Sequence, residues 1–181
     1  MSYYKCMNEK PLSAEIMKLA LDKLDTILDR KVQLIVGGGG SMILAHHFPL
    51  ATTDIDAIPK GIEIHELDVF VKKVAVELGL PGDWLNPYFA TFSLTLPASF
   101  KERLVEVFHG KNLEALALGK EDMLIMKCFA HRAKDVGHAK SLIKQGADVA
   151  MVEDHISSLL ERNFRDAQEA LDFLDELLED L

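Results

Sequence analysis

The sequence predicts an α/β (α+β) fold, a small mixed sheet with flanking helices followed by a helical C-terminal part. Three observations predict it. Short β-branched apolar runs, VQLIV (32–36) and DIDAI (54–58), stand between segments of helical period. Alternating runs follow at TFSLTL (91–96), RLVEVF (103–108) and LEALAL (113–118). Beyond Lys120 the period is helical to the end. The expected organisation is an α/β core over 1–118 and helices over 119–181 packed on it, together one compact unit. With 181 residues, 49% of them apolar, the chain can bury a core.

Taken in order, LSAEIMKLALDKLDTILDR (12–30) is an amphipathic helix. Ser13 is its cap, and its apolar stripe runs through Ile16, Leu19, Ala20, Leu24, Ile27 and Leu28. VQLIV is a buried strand. After four glycines, SMILAHHF (41–48) is a short helix stopped by Pro49. HELDVFVKKVAVELG (65–79) is a helix with Leu67, Phe70, Val71, Val74 and Leu78 inward and Gly79 as its stop. PGDWLNP is a loop anchored by Trp84 and Asn86. The C-terminal helices are KEDMLIMKCFAHRA, DVGHAKSLIKQG, VEDHISSLLERN and RDAQEALDFLDELLEDL.

Charge narrows the function. The net charge is −9, and residues 153–181 hold ten acids against two bases, which accounts for −8 of it. A generally basic, nucleic-acid-coating surface is excluded. A local basic site remains, because five Lys or Arg stand against one Asp between Lys127 and Lys144. The last helices carry more apolar surface than a lone terminal helix needs, so they either pack on the domain or seal a partner or dimer interface. No apolar run approaches the roughly 20 residues that span a bilayer. The N-terminal segment has no signal-peptide h-region, so a cytoplasmic location without membrane contact is expected. Cys6 and Cys128 define no disulfide framework.

The chemistry concentrates in LIVGGGGSMILAHHFPLATTDIDAIPK (34–60). A strand, a glycine turn and a helix start form a general anion site, since glycines let free N–H groups approach a ligand. No Gly-Lys-Ser/Thr follows, which excludes a P-loop. Met42 stands where a dinucleotide fingerprint needs a small residue. Asp54 and Asp56 alternate with Ile55, so a strand points both to one side. Two close carboxylates raise each other's pKa unless a cation compensates, and Mg2+ between them removes that penalty.

This segment resembles the nucleotidyltransferase superfamily, the polymerase-β-like fold. It is similar to a small bacterial branch akin to the nucleotidyltransferase toxins of abortive-infection and toxin–antitoxin systems, much of it without known function. The matching residues are Gly39-Gly40-Ser41-Met42-Ile43-Leu44, Thr52 and Asp54-Ile55-Asp56. DWLN (83–86) and DMLIMKCFAHRAKD (122–135) also fit the branch. The resemblance implies a Mg2+-dependent transfer of a nucleotidyl group from an NTP to a hydroxyl on RNA, such as a tRNA end, or on protein. It implies that Gly39, Gly40 and Ser41 hold phosphates, with Thr52 beside them. Asp54 and Asp56 would hold the metal. Lys127 would meet a phosphate or the nucleophile, Arg132 would add a cation, and Asp135 would orient that basic helix. It also implies a third carboxylate, for which Glu106 is the candidate.

The sequence departs from the branch at two points. His47 to Ala51 contains no Arg or Lys ahead of Thr52, leaving His46 or His47 as substitutes. Asp135 is followed at Asp-x-x-Asp spacing by His138. A second reading therefore stands beside the enzyme, a catalytically degenerate relative that binds a nucleotide or a protein partner. An antitoxin or a second copy could be engaged through the C-terminal helices.

Overall fold

Ser13 opens the first helix, α1 (Ala14–Ile27), where its Oγ accepts the Ile16 N–H at 3.3 Å. The computed structural model describes residues 11–49, 52–86, 94–179 and 181. The face that α1 buries is Met17, Ala20, Leu21 and Leu24, with Leu28 beyond its end. The expected stripe through Leu19 is corrected, because Leu19 is 54% exposed. The buried stripe instead passes through Asp25, an acid that polarity alone assigns to water. Its carboxylate accepts the backbone N–H groups of Lys111, Asn112 and Leu113 at 3.0, 2.6 and 2.7 Å. Three amide donors replace the water that Asp25 loses.

The strands are β1 (Val32–Val36), β2 (Ile55–Lys60), β3 (Leu85–Asn86), β4 (Val105–His109) and β5 (Leu113–Ala117). They form one sheet in the order β3-β2-β1-β5-β4. β1 pairs antiparallel with β2 and parallel with β5, β2 pairs parallel with β3, and β4 and β5 are antiparallel. Period-two alternation gives the sheet two covered faces. Leu34, Val36, Ile55, Ala57 and Ala115 point to a core shared with α1 and α3 (Ile64–Leu78). Ile35 points to a second core, and Ile58 packs against it from the same face. This second core is filled by α4 (Lys120–Ala130), α5 (Asp135–Lys144), α6 (Val149–Glu161) and α7 (Ala167–Glu179). Helix α7 buries Ala167, Ala170, Phe173, Leu174 and Leu177 there, so its apolar stripe packs on the domain. α3 ends as expected at Gly79, at φ 65°.

Two expected strands shift. Residues 91–93 of TFSLTL lie outside the described residues, and residues 94–95 sit in a 3-10 turn. The Thr95 carbonyl meets His155 Nε2 of α6 at 2.8 Å instead of a strand neighbour. A 3-10 helix (Ala98–Arg103) takes the start of RLVEVF, so β4 begins at Val105. Arg103 is drawn away by Asp122, a fully buried acid of α4, with contacts of 3.0 and 2.6 Å. Among the described residues no helix is long and apolar enough to cross a membrane.

Burial pushes the Asp25 carboxyl up, but the three amide donors outweigh it and hold the group below the usual carboxylate range. The group is more acidic folded than unfolded. Its contribution is complete above the unfolded value and is lost as the pH falls through the folded one. Asp25→Ala is expected to lower unfolding stability by about 1–3 kcal/mol at pH 7, and the loss should shrink below pH 4. Denaturant titration at both pH values checks this.

Candidate active site

The second short helix, α2 (Gly38–Leu44), starts within the glycine run. It begins earlier than the Ser41 start expected from sequence. Gly38 sits at φ 54°, and a Cβ there would overlap the Asp56 carboxylate. Gly38 and Gly39 thus bring the first turn of α2, with its uncommitted N–H groups, against the acidic end of β2. Gly40 serves packing, since a Cβ there would press on Ile55 and Val36 at 3.2 Å. Ser41 is fully buried and its Oγ donates to the Leu118 carbonyl at 3.3 Å. His46 Nε2 contacts the same carbonyl at 2.9 Å, and burial lowers its basicity. Neither Gly40, Ser41 nor His46 lines the cavity described next.

That cavity measures about 890 Å³, room enough for a nucleotide. Gly38, Gly39, Thr52, Asp54 and Asp56 form one side of its lining. Lys127, Arg132, Lys134, Asp135 and His138 complete it from α4, α5 and the turn between them. The expected residues Gly39, Thr52, Asp54, Asp56, Lys127, Arg132 and Asp135 therefore meet. Glu106 does not. It lies exposed on edge strand β4, within 3.2 Å of His109 Nδ1. Strand order separates β4 from β2 by β5 and β1, about 14 Å across the sheet.

Asp54 stands just before β2 and is held from two directions. Thr52 Oγ1 donates to its Oδ1 at 3.2 Å, and Asn86 Nδ2 donates to its Oδ2 at 2.6 Å. Asn86 is placed by β3, which is anchored by Trp84. The Trp84 ring is fully buried and its Nε1 donates to the Val71 carbonyl at 3.0 Å. Sequence reading gave Asn86 a structural role only; the signal was its place after a buried tryptophan. Asp56 is half-buried, and its carboxylate has no hydrogen bond and no ion pair among the described residues. Burial, then the neighbouring Asp54, push its carboxyl above the usual range. Lys127, Arg132 and Lys134 oppose that rise.

The cations are organised by Asp135, a fully buried carboxylate. Lys127 Nζ donates to its Oδ1 at 2.7 Å and Arg132 Nε to its Oδ2 at 2.6 Å. Burial raises Asp135, but these two donors outweigh it and hold it below the usual carboxylate range. Burial lowers Lys127, and Asp135 opposes that shift. The turn makes this possible: α4 stops at Ala130 and His131 takes φ 32°, which swings Arg132 back toward Asp135. Lys134 joined the site unforeseen, since the helix stop at His131 carried no glycine to mark it, and His138, in the sequence only a departure from the Asp-x-x-Asp spacing, lines the site as well. Lys127, Arg132 and Lys134 put their positive charge on the wall opposite Thr52.

A mixed five-stranded sheet carries a glycine turn beside paired carboxylates, facing a basic helix pair. That combination defines the class of nucleotidyltransferase-like proteins. The chain belongs to the DUF6036 family, described as a nucleotidyltransferase of unknown function, whose model matches residues 14–174. No curated protein and no solved structure matches the chain.

Two outcomes are expected. Asp135→Ala strands the buried Lys127 and should cost about 3–5 kcal/mol in denaturant unfolding. Gly38→Ala should cost more than the roughly 1 kcal/mol expected of Gly79→Ala in thermal unfolding. Both positions have positive φ, but a Cβ meets nothing within 4 Å at Gly79.

Proposed function

We propose that the chain transfers a nucleoside monophosphate from an NTP to a hydroxyl of an RNA or protein acceptor, with Mg2+ as its metal. The carrying observation is the unpartnered, half-buried Asp56 beside Asp54, on a cavity whose other lining supplies Lys127, Arg132 and Lys134. Two hard carboxylate oxygens, one of them uncommitted, suit a small divalent cation. When bound, Mg2+ would neutralise charge on the phosphates during displacement.

The chain's own residues account for the rest. Gly38 and Gly39 offer backbone N–H groups to the triphosphate. Thr52 and Asn86 fix the orientation of the Asp54 carboxylate. Lys127 and Arg132, pre-set by Asp135, together with Lys134 favour the charge that accumulates on the leaving pyrophosphate. The acceptor oxygen attacks the α-phosphorus, the bond from that phosphorus to the β-bridging oxygen breaks, and pyrophosphate departs with the electron pair. A second reading, nucleotide binding without turnover, is favoured by one observation. Among the described residues no third carboxylate free of an ion pair lines the cavity.

Calorimetric titration of each NTP with and without Mg2+ tests the reading. Tight binding should require Mg2+. Asp54→Asn or Asp56→Asn should remove that dependence and lower pyrophosphate release by about 10²–10³-fold. Binding unaffected by either substitution would refute it.

A further inference from the structure

We propose that His138 is the general base of this site, its Nε2 accepting the proton of the acceptor hydroxyl as that oxygen attacks the α-phosphorus. The inference rests on the nucleotidyl-transfer reading and supplies what that reading lacks, a group to take the proton.

His138 is 8% exposed, and its ring lines the cavity. Its Nδ1 is buried without a hydrogen bond, and Asp135 Oδ1 lies 3.6 Å from it. Leaving a buried ring nitrogen unpaired is costly, so His138 adds no hydrogen bond to the stability of the fold. The ring is held by an edge contact from Phe48, with centroids 4.9 Å apart. Asp135 and His138 are three apart on α5, which puts them on one helix face.

These placements select one tautomer. Asp135 is kept ionised by Lys127 and Arg132, so a proton on Nδ1 points at a carboxylate. Nε2 is then the lone-pair nitrogen, and no protein group hydrogen-bonds it among the described residues. A carboxylate that hydrogen-bonds one imidazole nitrogen and leaves the other free is the arrangement that activates hydroxyl nucleophiles, and at 3.6 Å Asp135 stands just outside that contact. Such contacts are often long without substrate and tighten in the reactive complex. Burial, then the nearby Lys127, keep the imidazole less basic than usual and hence neutral, ready to accept a proton.

The other candidates are committed. Asp54 and Asp56 are assigned to the metal, Asp135 is saturated by two cations, and Glu106 is on the far edge of the sheet. The step balances. The hydroxyl proton moves to Nε2, the oxygen bonds phosphorus, pyrophosphate leaves with its electron pair, and the imidazolium returns its proton to solvent.

The test compares wild type with His138→Gln, which keeps polarity and approximate size but cannot take the proton. Mg2+–NTP affinity is read by calorimetry, and pyrophosphate release is read with total tRNA, water and the chain's own hydroxyls as acceptors. Affinity should stay within about 3-fold while release falls by about 100-fold or more. Nitrogen NMR of the wild-type ring should show the proton on Nδ1, a measurement that requires no variant. Release unchanged in His138→Gln, an affinity loss equal to the rate loss, or a proton on Nε2 would each overturn the base. So would a wild type that binds Mg2+–NTP through Asp54 yet releases no pyrophosphate, leaving the nucleotide site standing. Binding indifferent to Asp54→Asn would bring down the parent reading and the base with it.

Discussion

Asp135 is the constraint on which the site depends. It is a fully buried carboxylate held by two cations, one from α4 and one from the turn beyond it. Without it Lys127 would be an uncompensated ammonium inside an apolar helix face, and Arg132 would be free to swing into solvent. One buried charge therefore fixes the position of two others. The cost of desolvating Lys127 and Asp135 is met by packing elsewhere, in the core of α4, α6 and α7. This is a common bargain at functional sites, where local stability is given up for a preset electrostatic field.

The acidic wall is built by different means. Asp54 is oriented by hydrogen bonds from both sides, whereas Asp56 fits against Gly38 only because that residue has no Cβ, and its carboxylate is left without a partner. The glycine run divides its labour accordingly. Gly38 admits the carboxylate, Gly39 lines the cavity, and Gly40 admits the side chains of Val36 and Ile55. Only Gly38 and Gly39 of the run line the cavity. The rest lets α2 sit close on the sheet, so the same residues shape the wall and seal the core behind it.

Much of this was legible in the sequence because it is written in local patterns. The period of VQLIV, the cap at Ser13, the stop at Gly79 and the alternation of Asp54 and Asp56 all act within a few residues. What escaped was set by distant partners. Asp25 is buried because a hairpin more than eighty positions away aims three amides at it. Glu106 was misplaced because strand order, which no local pattern encodes, puts β4 at the opposite edge from β2. The strand expected at residue 94 gives way to a tertiary contact, the Thr95 carbonyl with His155. Leu19 lies off the buried stripe of Met17, Ala20, Leu21, Leu24 and Leu28.

The parallel pairing of β1 with β5 joins Val32 to Leu113 across most of the first two-thirds of the chain. Before that pairing forms, the carboxylates of β2 and the lysine of α4 belong to unconnected segments. Closing so long a loop carries an entropic cost that the pairing itself must offset. The cavity is thus absent from any partly folded chain that has its helices and its first hairpin but lacks this central junction. A ligand held in the cavity would join the two segments and oppose the opening of that junction, as a clasp does.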